Sequence, residues 1–203
     1  MYQSISRRTV RWLIRKGTIR QEEQAVYEYS FEVLYSDLMY ALFGLAIAVL
    51  LHGVLATALF LAGFLPIRKF GGGYHASTYL RCHLLFAGNQ IAAILLFHLV
   101  PQRIIAPVVV VLVVVSTICV LAFAPVEHEN RPFSDSERKH FRRMSVSVLA
   151  VSWGILLLLI CFRLMSSEYA LAYFFGVFSV SISLLFERIK KRKEGRRHDE
   201  KDC

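Results

Sequence analysis

The chain has 203 residues, of which 56% are apolar and only 19% are charged. This composition excludes an ordinary soluble globular domain and indicates a protein surrounded by lipid. The formal net charge of +9 is concentrated between the apolar runs. We therefore interpret it as a signal of orientation and of contact with anionic lipid, and we do not expect nucleic-acid binding.

The first segment, residues 1–30, is basic and has the periodicity of an amphipathic helix. The basic sector of the helical wheel holds Arg7, Arg8, Arg11 and Arg15, and the opposite sector holds Tyr2, Ile5, Trp12 and Leu13. We expect this helix to end near Gly17 and to lie on the inner leaflet of a membrane. A solvated basic segment that only sets the topology accounts for the same pattern.

Five runs without Lys, Arg, Asp or Glu follow, at residues 38–67, 84–102, 104–126, 144–162 and 169–186. A membrane-spanning helix needs about 20 such residues, so each of the last four runs predicts one span. The first run is too long for one span, and the basic character of both chain ends favours an even number of spans. We divide it near His52 and Gly53. The predicted spans are residues 33–52, 53–67, 84–100, 104–123, 144–164 and 168–186.

This arrangement predicts an all-α polytopic integral membrane protein of about six transmembrane helices, formed as a single membrane domain over residues 1–203. Both termini then lie in the cytosol, including a basic tail at residues 187–203. On that side fall 22 of the 24 Lys and Arg residues, with Arg103 and Arg163 on the other. We expect a multi-pass protein of a bacterial cytoplasmic membrane. The short first two spans are consistent with a homodimer, and the number of protomers is left open.

One of the four cysteines is placed for chemistry. Cys119 and Cys161 lie within apolar runs, where cysteine behaves as a small apolar residue, and Cys203 is terminal. Cys82 instead lies where the predicted cytosolic loop, residues 68–83, meets a span. The reducing cytosol would keep it as a free thiol.

The same loop carries a histidine that could activate this thiol. A cysteine attacks a carbonyl carbon as its thiolate, which a nearby imidazole can generate and stabilise. His75 precedes Cys82 by seven residues, about 10 Å along a continuous helix, which is too far for a hydrogen bond. The glycines at positions 71–73 permit a turn that would bring His75 back, and Ser77 or Thr78 could cap the next helix.

Other interpretations of this loop are open at this point. No Lys-Ser or Lys-Thr pair follows the glycines, as a phosphate-binding loop requires, and His75, Cys82 and His83 lack a fourth metal ligand. We therefore expect no metal and no cofactor. The residue types by themselves favour packing roles over catalysis. A small six-helix transporter or scaffold, with the glycines as a hinge, is the alternative function.

The spacing of four loop residues resembles the signature of the accessory gene regulator B family of quorum-sensing membrane peptidases. These residues are Arg68, Gly73, His75 and Cys82, in the string RKFGGGYHASTYLRC. A second segment, Ala124-Pro125 followed by Asn130-Arg131-Pro132 and a basic stretch, resembles the fourth loop of that family. The six-span layout with an amphipathic N-terminus agrees with the family along nearly the whole chain.

The resemblance implies a cysteine endopeptidase in which Cys82 is the nucleophile, His75 is its base, and Arg68 and Gly73 support the loop. It implies that the substrate is a short autoinducer precursor, whose C-terminal part is removed as a thiolactone or lactone ring closes. In the fourth loop the chain departs from the compact lysine run of the family. The basic residues there are Arg131, Arg138, Lys139, Arg142 and Arg143. They are candidates for contact with the precursor or with lipid, and anchoring of the helices suffices to explain them.

Overall fold

The computed structural model describes residues 2–73, 79–126, 133–163 and 167–199. This part of the chain forms seven α-helices, a short 3-10 helix at Gln21–Glu23 and no strands. The helices are α1 (Tyr2–Arg15), α2 (Gln24–Leu50), α3 (Val54–Gly71), α4 (Tyr79–Leu99), α5 (Gln102–Phe123), α6 (Asp135–Cys161) and α7 (Glu168–Asp199). Helices α2 to α7 are each long and apolar enough to cross a membrane, which confirms the predicted all-α fold with six candidate spans.

The break between the first two spans falls where the sequence places it, because α2 ends at Leu50 and α3 begins at Val54. Several helices, however, extend beyond the predicted spans. In the predicted loop 68–83, residues 68–71 belong to α3 and residues 79–83 belong to α4, and α7 continues through most of the predicted tail. Charged residues mark where an apolar run stops, but a helix continues until its backbone is interrupted, as by Gly72 with its φ of 78°.

The chain divides into two compact units, of which the first is Met1–Leu50. Within it, α1 packs against α2 through buried Ser6 and Val10 and through Thr9, whose hydroxyl lies 2.8 Å from the Tyr35 hydroxyl. The predicted end of the first helix is confirmed, since α1 stops at Arg15 and Gly17 has a φ of 69°.

The second unit, Leu51–Cys203, is organised around α7. This helix packs against α3, α4 and α5. Half of the residues in its apolar, membrane-spanning part are buried, compared with 17–39% in the other candidate spans of the unit. Gly63 of α3 lies against the Tyr173 backbone, and Gly176 of α7 lies against the Phe60 backbone. A Cβ atom at either glycine would overlap a carbonyl oxygen of the facing helix, so the two helices approach as closely as small residues allow.

Helices α3 and α4 are antiparallel, and their contacts follow a regular register. Near the start of α3, Gly53 lies against Ile94. One turn along α3, and one turn back along α4, the Gln90 amide donates a hydrogen bond of 3.3 Å to the Thr57 hydroxyl. After a further turn the rings of Phe60 and Phe86 stand 5.7 Å apart. One turn farther along α3, the ring of Phe64 also stands 5.1 Å from that of Phe86, so the C-terminal part of α3 runs along the N-terminal turns of α4.

Candidate active site

Arg68 and Cys82 come together at this end of the α3–α4 pair. Cys82 is the fourth residue of α4 and is a partly buried free thiol. The Arg68 side chain, from the last turn of α3, interacts electrostatically with it. Cys82 also lies in the N-terminal turn of α4, where the positive end of the helix dipole favours an anion. Cys82 therefore lies near two sources of positive potential, the Arg68 guanidinium and the start of α4.

The glycine turn after α3 holds the Arg68 side chain in place. The Arg68 guanidinium donates a hydrogen bond of 3.3 Å from Nη1 to the Gly72 carbonyl oxygen. Gly73 is buried, has a φ of 131°, and lies so close to Arg68 Nη1 and Ser183 Oγ that a Cβ atom would collide with both. Of the residues singled out from the sequence, the structure thus brings Arg68, Gly73 and Cys82 together.

Three predicted features lie outside the described residues. His75 belongs to residues 74–78, as do the candidate helix caps Ser77 and Thr78, and Arg131 belongs to residues 127–132. Their assigned roles stay predictions. The structure does place α4 directly after the first of these segments, with its first residue at Tyr79.

An acidic residue that the sequence reasoning overlooked belongs to the same site. Glu187 is only 6% exposed, and its carboxylate interacts electrostatically with Arg68. Within the described ranges its Oε2 atom has no hydrogen-bond partner. The sequence pattern places residue 187 at the start of the basic cytosolic tail. The only feature of the sequence that could have indicated this residue is its position, as a single Glu between the last apolar run and the basic run of the tail.

The start of the α5–α6 connection packs against the glycine turn. The Val126 amide donates a hydrogen bond of 2.9 Å to the Gly71 carbonyl oxygen. This connection is itself held by Arg142, whose guanidinium donates to the carbonyl oxygens of Ala124 at 2.7 Å and Leu121 at 2.9 Å. Arg142 therefore stabilises the end of α5 and the first residues of the α5–α6 connection, which pack against the glycine turn.

Three further basic residues of the fourth loop lie near Arg142 on α6 and are exposed as it is. Arg138, Lys139 and Arg143 are exposed on the first turns of α6. That helix begins with a capping box, in which the Ser134 hydroxyl accepts from the Glu137 amide at 3.3 Å and the Glu137 carboxylate accepts from the Ser134 amide at 2.9 Å. The capping box therefore fixes the start of the helix on which these exposed side chains lie.

These features define a multi-pass membrane protein with a guanidinium, a thiol and a buried carboxylate at one end of a helix bundle. A family model described as accessory gene regulator B matches residues 6–184, so the chain belongs to that family. Neither the curated proteins nor the solved structures include a match to this chain. Membership assigns the protein to the accessory gene regulator quorum-sensing system, and the family is associated with autoinducer peptide processing.

Proposed function

We propose that this protein is a membrane cysteine endopeptidase that cleaves the C-terminal part from an autoinducer precursor and promotes its cyclisation. The observation that carries the proposal is the position of Cys82 in the first turn of α4, within electrostatic range of the Arg68 guanidinium that the glycine turn holds. Arginine stays protonated, and a thiolate beside it is favoured as a nucleophile and as a leaving group.

His75 is the proposed base. It follows Gly73 by two positions in the sequence, and Gly73 lies against the Arg68 side chain. In the proposed first step, the imidazole removes the proton from Cys82, and the thiolate attacks the scissile carbonyl carbon. The resulting imidazolium then protonates the departing amine as the C–N bond breaks. The product of this step is a thioester between the precursor and Cys82.

Ring closure uses the same groups in reverse. An internal cysteine or serine of the precursor loses its proton to His75 and attacks the thioester carbonyl carbon. The bond to Cys82 breaks, the ring closes as a thiolactone or lactone, and the departing thiolate is stabilised by Arg68 before it is reprotonated. The activated acyl group is conserved, provided that water is excluded from the thioester. A site at the end of a lipid-embedded bundle supports such exclusion.

The basic residues and the orientation complete the proposal. We place the chain in a bacterial cytoplasmic membrane with both termini and the candidate site in the cytosol, following the distribution of Lys and Arg. Exposed Arg138, Lys139 and Arg143 would contact acidic parts of the precursor or anionic lipid. Arg142 contributes indirectly, through its hydrogen bonds to the end of α5.

The test is co-expression of the chain with the precursor encoded nearby, with mass spectrometry of the precursor at equal membrane abundance. Cys82→Ala and His75→Ala should each abolish cleavage, and wild type should carry a precursor acyl group on Cys82. Cys161→Ala is the matched control, because Cys161 is also a free cysteine in a spanning helix and should not affect cleavage. Normal processing by Cys82→Ala would refute the peptidase and favour the transporter or scaffold.

A further inference from the structure

Glu187 is a buried carboxylate for which neither the fold nor the proposed peptidase chemistry has yet supplied a role. Its side chain is 6% exposed, and Oε2 has no hydrogen-bond partner in the part of the chain that the structure describes. Buried carboxylates are costly unless they are paired, and an unsatisfied one is uncommon. Glu187 also lies beyond residue 184, where the match to the family ends.

The position of Glu187 follows from the packing of α7 on α3. Leu184 lies beside Gly71, and Ser183 lies beside Gly73, so this part of α7 runs past the glycine turn. Glu187 follows Ser183 by four residues and therefore lies on the same face, one turn farther along. This register brings the carboxylate near the Arg68 side chain, with which it interacts electrostatically.

The guanidinium of Arg68 thus has a negative group on each of two neighbouring helices. Cys82 of α4 is one when it is a thiolate, and Glu187 of α7 is the other. In the proposed reaction the Cys82 charge disappears whenever the sulfur is acylated or protonated. A partly buried arginine that lost its counter-charge at that stage would be drawn toward water, because an unpaired charge removed from water is unfavourable.

We propose that Glu187 is a positioning residue, the permanent counter-ion that keeps Arg68 beside Cys82 throughout the reaction cycle. This inference rests on the proposed function for its role in the cycle, but the pairing itself is independent of any substrate. Glu187 acts through Arg68 and does not contact the reacting atoms. The negative charge of Glu187 by itself repels a thiolate, so simple repulsion predicts that removal of this charge raises the reactivity of Cys82. Positioning of Arg68 predicts that the same change lowers it.

The experiment measures the rate at which iodoacetamide alkylates Cys82 in the full-length protein in detergent, by mass spectrometry of the peptide that contains Cys82. With Glu187→Gln, Arg68 is released and the rate at about pH 7 should fall roughly tenfold, as expected for loss of a neighbouring opposite charge. At about pH 10, where an ordinary thiol is ionised, the variant and wild type should react at similar rates. Disruption of the fold would instead change accessibility at both pH values.

Three further variants test the pairing. Glu187→Asp retains the charge and should restore most of the rate, whereas Glu168→Gln, a matched change at the other end of α7, should have no effect. The double variant Arg68→Gln/Glu187→Gln should react no more slowly than Arg68→Gln alone, because both changes remove one interaction. If the single Glu187→Gln variant does not accumulate, the comparison of the double variant with Arg68→Gln still tests the pairing.

Two results would overturn the inference. The first is a rate for Glu187→Gln that is unchanged or higher at about pH 7, the latter indicating repulsion of the thiolate only. The second is a double variant whose fold reduction in the alkylation rate of Cys82 equals the product of the reductions in the two single variants. Because alkylation needs no precursor, failure of precursor cleavage would refute the proposed function while leaving this pairing intact. Unchanged alkylation would refute the pairing and leave the peptidase proposal standing.

Discussion

Replacement of Gly73 by alanine separates backbone strain from damage to the candidate site. Gly73 has a φ of 131°, and an added Cβ atom would collide with Arg68 Nη1 and Ser183 Oγ. Both of these atoms are ends of side chains and can move, so the collision is relieved by displacement of the guanidinium rather than of a helix. The backbone conformation cannot be relieved in this way, and a residue with a Cβ at positive φ costs about 1–2 kcal/mol.

We therefore expect Gly73→Ala to lower the free energy of unfolding by about 1–2 kcal/mol and to lower Cys82 alkylation at about pH 7 roughly tenfold, because Arg68 moves away. Two glycines provide matched controls. Gly17 has a φ of 69° with open space around it, and Gly88 is helical with open space around it. Gly17→Ala should show strain without loss of alkylation, and Gly88→Ala should show neither effect.

The measurements are unfolding in mixed micelles of increasing denaturing detergent and the alkylation rate of Cys82, made on the same preparations. Gly73→Ala with normal alkylation would show that the glycine turn does not position Arg68. Equal loss of alkylation in Gly73→Ala and Gly88→Ala would show that the assay reports general damage to α4. Either result would refute the reasoning from the glycine turn.

Two further predictions concern the surroundings of the site. Gly176→Ala should destabilise the protein by about 1–3 kcal/mol, because its Cβ atom would meet the backbone of α3, whereas Gly154→Ala, with open space around it, should be neutral or slightly stabilising. Unfolding in mixed micelles measures both, and equal effects would contradict the close helix contact. Arg142→Ala should cost about 1–2 kcal/mol, because it removes two charge-assisted hydrogen bonds to the end of α5, whereas Arg143→Ala should change stability by less than about 0.5 kcal/mol. Similar losses for the two arginines in the same assay would show that these hydrogen bonds do not stabilise the protein.

The membrane character and the approximate course of the chain could be predicted from the sequence because they depend on local composition. Exposure of a long apolar run to water is unfavourable whatever its tertiary contacts. The six candidate spans and the break near His52 and Gly53 could therefore be predicted from the sequence alone. Cys82 was identified from its position at the end of the predicted loop, and Arg68 and Gly73 were identified from the resemblance of that loop to the family signature. The ends of the helices were less predictable, since a helix continues past the end of an apolar run at no cost when its charged residues reach water.

Only the tertiary structure decided which side chains meet. The register of α3 on α4 brings Arg68 to Cys82, and the approach of α7 to α3 at Gly63 and Gly176 carries Glu187 to the same place, 119 positions after Arg68. Periodicity shows that a helix has an apolar face but does not show which helix covers it or at what height. Those choices depend on small residues and side-chain shapes that act across helices distant in sequence. For this reason an acidic residue at the start of an apparent basic tail became recognisable as part of the site only in the folded chain.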